Sequence, residues 1–156
     1  MKKSAILFFI AFLTSTLVFS QSNEADRKKE FNLSKGTLAI EGYDPVSYFT
    51  ENKPVKGKKE FAKFYKGIIY YFSSEKNSKA FVADPAKYEP QYGGWCAYAM
   101  GSTGEKVEVD PETFKIRGGK LYLFYNAYFN NTLKSWNKDE VKLQKSADIN
   151  WTKFAK

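Results

Sequence analysis

Two runs rich in aromatic and β-branched side chains, Glu60 to Tyr65 and Ile68 to Phe72, are separated by Lys66-Gly67 alone. A two-residue link between strands needs positive φ, which Gly adopts without steric cost, so this pattern predicts a β-hairpin. Gly118-Gly119 predicts a second hairpin, between Phe114–Ile116 and Lys120–Tyr125. Leu38 to Ile40 is a short strand candidate stopped at Gly42. Helix-start signals fall between these runs. Asp44-Pro45 predicts a short helix through Val46, Tyr48 and Phe49; Ser73 or Ser74 caps a helix reaching Val82; and Asp84-Pro85 opens a shorter turn ending at Tyr88. Near the end of the chain, Leu143, Ala147, Trp151 and Phe154 recur at spacings of four, four and three, one face of a C-terminal helix. The expected fold class is α+β, with small antiparallel β-hairpins packed with short helices.

The first twenty residues carry Lys2 and Lys3, then an apolar stretch from Ala5 to Phe19 broken only by Thr14, Ser15 and Thr16. That is the pattern of a signal peptide over residues 1–20, and the run is too short and too rich in hydroxyls for a spanning helix. Export to a periplasmic or extracellular location follows as an expectation, with no stable membrane insertion after cleavage. Residues 21–36 are polar and read as a flexible lead-in, and 37–156 as the domain with its C-terminal helical extension. Loss of the leader leaves 23 basic against 17 acidic side chains, net +6. The basic residues are mostly interleaved with acids, which suits a solvated face and gives no support to nucleic-acid binding. Asn32, Asn130 and Asn150 each begin an Asn-x-Ser/Thr triplet, which matters only in a eukaryotic secretory route.

The chain has no His and a single Cys. That excludes a Ser-His-Asp triad, a Cys-His dyad, a histidine-bearing zinc site, an internal disulfide and an all-cysteine metal centre. The glycine pairs at 93–94 and 118–119 match neither a dinucleotide fingerprint nor a phosphate loop.

Gly42-Tyr43-Asp44-Pro45-Val46, Gly67 to Ser74, Ala80-Phe81 and Asp84-Pro85-Ala86-Lys87-Tyr88 resemble the YHS domain family. Tyr92 to Ala99, Asp110-Pro111 and Gly119 to Leu123 are similar to a longer, exported version of that domain. The resemblance implies a metal-binding module of the kind attached to heavy-metal transporters. In cysteine-bearing members thiols align with Ser47, Ser73 and Asn77 of this chain, and the histidine of the family name falls near Tyr65. Ser and Asn offer hard neutral oxygens, poor replacements for thiolates toward copper or zinc. The fold is thus expected to persist without the usual ligands.

The leading functional reading is an exported, non-enzymatic binding module for a small ligand, a metal or a protein partner. Its candidate binding residues are Tyr43, Asp44, Tyr92, Trp95, Cys96 and Tyr98, since phenols and an indole line planar pockets while offering hydroxyl and N–H donors. Cys96, preceded by two glycines and Trp95 at an expected helix start, pairs at four-residue spacing with Met100. Thiolate with thioether is a Cu(I) donor set, so these two are the metal candidates and copper the candidate cofactor. Two other readings stay open: a thiol-dependent redox or transfer enzyme working through Cys96, and a purely structural envelope protein.

Overall fold

The structure, a computed structural model, describes residues 24–154. The expected signal peptide lies outside the described residues. In chain order the elements are helix α1 (24–30), strands β1 (Leu33–Ser34) and β2 (Leu38–Ala39), helix α2 (Ser47–Thr50), strands β3 (Lys58–Tyr65) and β4 (Ile68–Phe72), then helices α3 (Glu75–Ala83), α4 (Pro85–Tyr88) and α5 (Ala97–Ser102). Strands β5 (Asp110–Arg117), β6 (Lys120–Phe124), β7 (Asn126–Ala127) and β8 (Asn130–Asn131) follow, then α6 (Thr132–Trp136) and α7 (Glu140–Trp151).

The local signals act where expected. Lys66 and Gly67 both take positive φ and join β3 to β4. The Ser74 hydroxyl accepts the Asn77 N–H at the start of α3, and the Asp84 carboxylate accepts the Lys87 N–H at the start of α4. In β4, Ile68, Tyr70 and Phe72 alternate inward, while its lysine-rich neighbour β3 is a largely exposed edge, a form that resists pairing with other chains. The first sheet has the order β1-β2-β4-β3. It departs from the expected antiparallel pattern at one contact: β2 runs parallel to β4 through Leu38 and Ile69, because α2 and β3 carry the chain back before β4 begins.

Two apolar clusters fill the interior. One gathers Val46, Tyr48, Ile68, Tyr70, Phe72 and Phe81, with Tyr70 and Phe72 ring centroids 4.7 and 5.1 Å from that of Phe81. The other gathers Tyr92, Ala97, Met100, Trp136 and Ala147. Strand β6 serves both. Leu121 and Leu123 enter the first cluster, while Tyr122 and Phe124 enter the second, so period-two alternation makes one strand the shared wall. Helices α5 and α7 pack so closely that a Cβ on Gly101 would lie 2.4 Å from the Leu143 carbonyl oxygen. The Asn150 amide donates to the Met100 carbonyl across the same contact.

Residues 24–36, the described part of the segment expected as a lead-in, pack on the domain. Phe31 meets Trp151 edge-on, the Trp95 indole N–H donates to the Glu30 carbonyl, and the Arg27 guanidinium pairs with Glu89. Its few apolar residues, Phe31 and Leu33, pack against the first cluster, which the polar composition around them obscures.

Two three-residue turns wind left-handed. Ile40, Glu41 and Gly42 have φ of 49°, 49° and 81°, and Tyr92, Gly93 and Gly94 have 55°, 60° and 85°. A non-Gly residue in this region costs roughly 1–2 kcal/mol, and a β-branched one such as Ile40 is an outlier. A third strained point is the two-residue tip of the β7–β8 hairpin, where Tyr128 and Phe129 have φ of 49° and 65°.

Candidate functional site

Asp44 is fully buried, and among the described residues no cation pairs with its carboxylate. Four donors hold it. The Val46 N–H reaches Oδ1 at 2.9 Å; the Ser73 N–H, the Ser73 hydroxyl and the Asn77 amide reach Oδ2 at 2.8, 2.7 and 2.7 Å. A buried carboxylate is tolerable only when its lone pairs are met, and here dipolar donors meet them. Asp44 is not the N-cap expected from Asp44-Pro45: α2 is capped at Val46 without a side-chain bond, and one Asp44 oxygen instead takes the Val46 N–H in the turn before the helix while the other binds β4's exit and α3. Ser47 completes the arrangement: its single hydroxyl proton faces the Asp44 and Lys53 carbonyls, at 2.8 and 2.9 Å, while its oxygen accepts the Val55 N–H. Ser47, Ser73 and Asn77, the three positions singled out by the resemblance, thus all bond to Asp44. Tyr65 stands apart, its ring edge-on to Phe81 at 5.8 Å.

Tyr43 precedes this cage and points the other way. Its hydroxyl donates to Glu112 at 2.8 Å, and the Lys56 ammonium lies 3.7 Å from its ring centroid. Burial, then the Glu112 carboxylate, pushes its phenol up to about 12. Tyr92 belongs to the second cluster and donates to Asp148 at 2.8 Å; burial and that carboxylate raise its phenol well above the usual value. Trp95 is held by Glu30, and Tyr98 packs partly buried against the second cluster.

Cys96 and Met100 are both fully buried, at the start and in the middle of α5. The Cys96 sulfur receives the Tyr125 N–H and contacts the Thr132 hydroxyl, each at 3.4 Å. Neither neighbour is a base that would draw off its proton. The six candidate residues are not brought into one pocket: Tyr43 lies in the first cluster and Asp44 in its polar cage, Tyr92 and Tyr98 pack in the second cluster, Trp95 is bonded to Glu30, and Cys96 contacts Tyr125 and Thr132.

Between the two groups a cleft of about 320 Å³ opens to solvent. Ile40 and Glu41 from one left-handed turn and Gly94 from the other border it, and Leu33, Leu38 and Val109 give it apolar walls. Asn32 closes one end by bonding the second turn, its N–H to the Gly93 carbonyl and its amide to the Gly94 carbonyl. Sequence reasoning singled out the flanking segments, Gly42 to Asp44 and Tyr92 to Tyr98, and missed Ile40, Glu41 and Glu108. The glycines that end each turn were the available signal; nothing in Ile40-Glu41 itself announces a left-handed backbone.

The fold and its aspartate-centred cage define a small α+β domain built around a polar knot. The YHS domain model matches residues 46–92, from the N-cap of α2 through Tyr92, so this segment of the chain carries a YHS domain. No curated protein matches the chain, and no solved structure does. The family is associated with metal handling, copper included, and the residues at the cage do not fit that role. Ser73 and Asn77 spend their donors on Asp44, Ser47 is bonded to main chain, and none supplies a thiolate. Among the described residues no three His, Cys, Asp or Glu side chains gather where they could hold an ion.

Proposed function

We propose that the chain is an exported, non-enzymatic YHS-type module that binds a small organic ligand in the cleft between its two left-handed turns. The observation that carries this reading is the placement of strain. Ile40 and Glu41 hold strained left-handed backbone at the cleft border, and stored strain concentrates where a surface is shaped for a ligand. The volume, about 320 Å³, lies at the small end of the range that accommodates small molecules. Apolar walls from Leu33, Leu38 and Val109 beneath the charged groups of Lys35, Glu41 and Glu108 suit a molecule with an apolar body and a polar end. Export is supported by the basic start and the apolar stretch Ala5 to Phe19.

Native mass spectrometry of the protein isolated from its own host tests the reading, with Ser34→Trp, which fills the cleft from β1, as the comparison. The expected result is a bound small molecule in the wild type that is absent from Ser34→Trp. Equal occupancy in the two proteins, or no organic ligand in either, overturns it.

A further inference from the structure

The β7–β8 hairpin ends in Tyr128 and Phe129, with relative exposures of 92% and 111%. Both residues sit at positive φ, the pattern of a type I′ turn, where Asn-Gly is the favoured pair. Two bulky aromatic side chains here are unfavourable to the isolated fold twice over. They strain the backbone, and they leave their rings in water with no ring partner among the described residues. Single exposed apolar residues are ordinary, but two adjacent ones on a strained, projecting tip are not accounted for by packing.

The chain on either side of the tip is cationic in sequence, with the Asp110 carboxylate at the base of the hairpin against Asn126. From Thr113 to Lys138 the chain contains Lys115, Arg117, Lys120, Lys134 and Lys138, and no Asp or Glu. Lys115 and Arg117 are engaged by Glu140. Lys134 and Lys138, which follow the hairpin directly, are exposed and form no ion pair among the described residues. The tip is also flanked by the amides of Asn126, Asn130 and Asn131. A convex pair of rings, one bearing a hydroxyl, followed by free ammonium groups, matches the interface of an anionic bilayer, where aromatic rings lodge at headgroup depth and lysines meet lipid phosphates.

We propose that the Tyr128-Phe129 tip is a peripheral membrane-contact site for anionic lipid. The contact is superficial: no described helix is long and apolar enough to cross a membrane. It is independent of the cleft and of the ligand assigned there.

The test is co-sedimentation of the full chain with vesicles of phosphatidylcholine alone and of phosphatidylcholine mixed with phosphatidylglycerol, at low and high salt. The comparison protein is Tyr128→Asn/Phe129→Gly, which gives the turn its preferred residues. Any contribution from the apolar stretch Ala5 to Phe19 is common to both proteins and cancels. The wild type is expected to partition onto phosphatidylglycerol vesicles about tenfold more strongly than the variant, an advantage reduced by salt, while the variant melts at a higher temperature. Equal vesicle binding by the two proteins overturns the proposal. So does a variant that melts lower, which would make the rings structural, or a wild type that ignores anionic vesicles and uses the tip to hold a protein.

Discussion

The side-chain amide of Asn77, on α3, donates to the Asp44 carboxylate at 2.7 Å across 33 residues of chain. With Ser73 it fixes the exit of β4 and the first turn of α3 onto the loop that enters α2. Three structural segments thereby meet at one ionisable oxygen with no metal needed to join them. The arrangement explains how the domain holds these segments together with only Ser and Asn beside the aspartate.

Asp44→Asn should be costly although it changes one atom. The new NH₂ must face either the Val46 N–H or the Ser73 and Asn77 donors, leaving donor against donor in a site without water access. A loss of about 3 kcal/mol is expected from the value of buried hydrogen bonds to a charged acceptor, read by urea denaturation. A loss below about 1 kcal/mol would show that the cage is not a structural centre.

Cys96 should resist alkylation in the native protein. Its sulfur is fully buried between the Tyr125 N–H and the Thr132 hydroxyl, so reaction requires the structure around it to open. The alkylation rate is expected to rise with urea in parallel with unfolding. Fast labelling of the folded chain would instead support thiol chemistry.

Stability should decline at alkaline pH. Burial first, with carboxylate neighbours adding to it at Tyr43, Tyr70 and Tyr92, holds these phenols above their ordinary value of 10.0, to about 12 for Tyr43. The raised groups favour the protonated folded state, so their contribution is complete below pH 10 and is lost as pH rises toward and past 12. Denaturation midpoints measured from pH 8 to 12 should fall only in the upper half of that range, and Tyr43→Phe should flatten part of the fall. A midpoint that is unchanged up to pH 12 would contradict the assignment.

Gly101→Ala should destabilise the contact between α5 and α7. The added methyl meets main chain at Leu143, which cannot swing aside as a side chain would. A cost of about 2 kcal/mol is expected, because one helix must back away from the other. Because β6 walls both clusters, the loss should appear in a single unfolding transition for the whole chain rather than in a separate melting of the C-terminal helices. Calorimetry distinguishes the two outcomes.

What could be read in the chain beforehand was local. Lys66-Gly67, Ser74 and Asp84-Pro85 act within four residues of themselves, so their turns and caps carry their own chemistry. The Leu143, Ala147, Trp151 and Phe154 face was legible because a helix repeats its contacts at fixed spacing. The Asp44 cage was only half legible, since Asp44-Pro45 announced a turn into a helix but nothing local links residue 44 to residues 73 and 77. Strand β6 hid its role, because burial on both faces erases the polar alternation that marks a surface strand. The bends at Ile40-Glu41 and Tyr128-Phe129 run against the preferences of their own residues, so propensity pointed away from them.

The central claim, that a polar knot around Asp44 stands where a metal centre would be, is tested most directly by anaerobic titration with Cu(I) and with Zn(II) against a competing chromophoric chelator. The chelator is expected to keep both metals from the wild type, and a Ser47→Cys/Ser73→Cys/Asn77→Cys variant to take up one equivalent. One equivalent held by the wild type and released by Asp44→Asn would contradict the account.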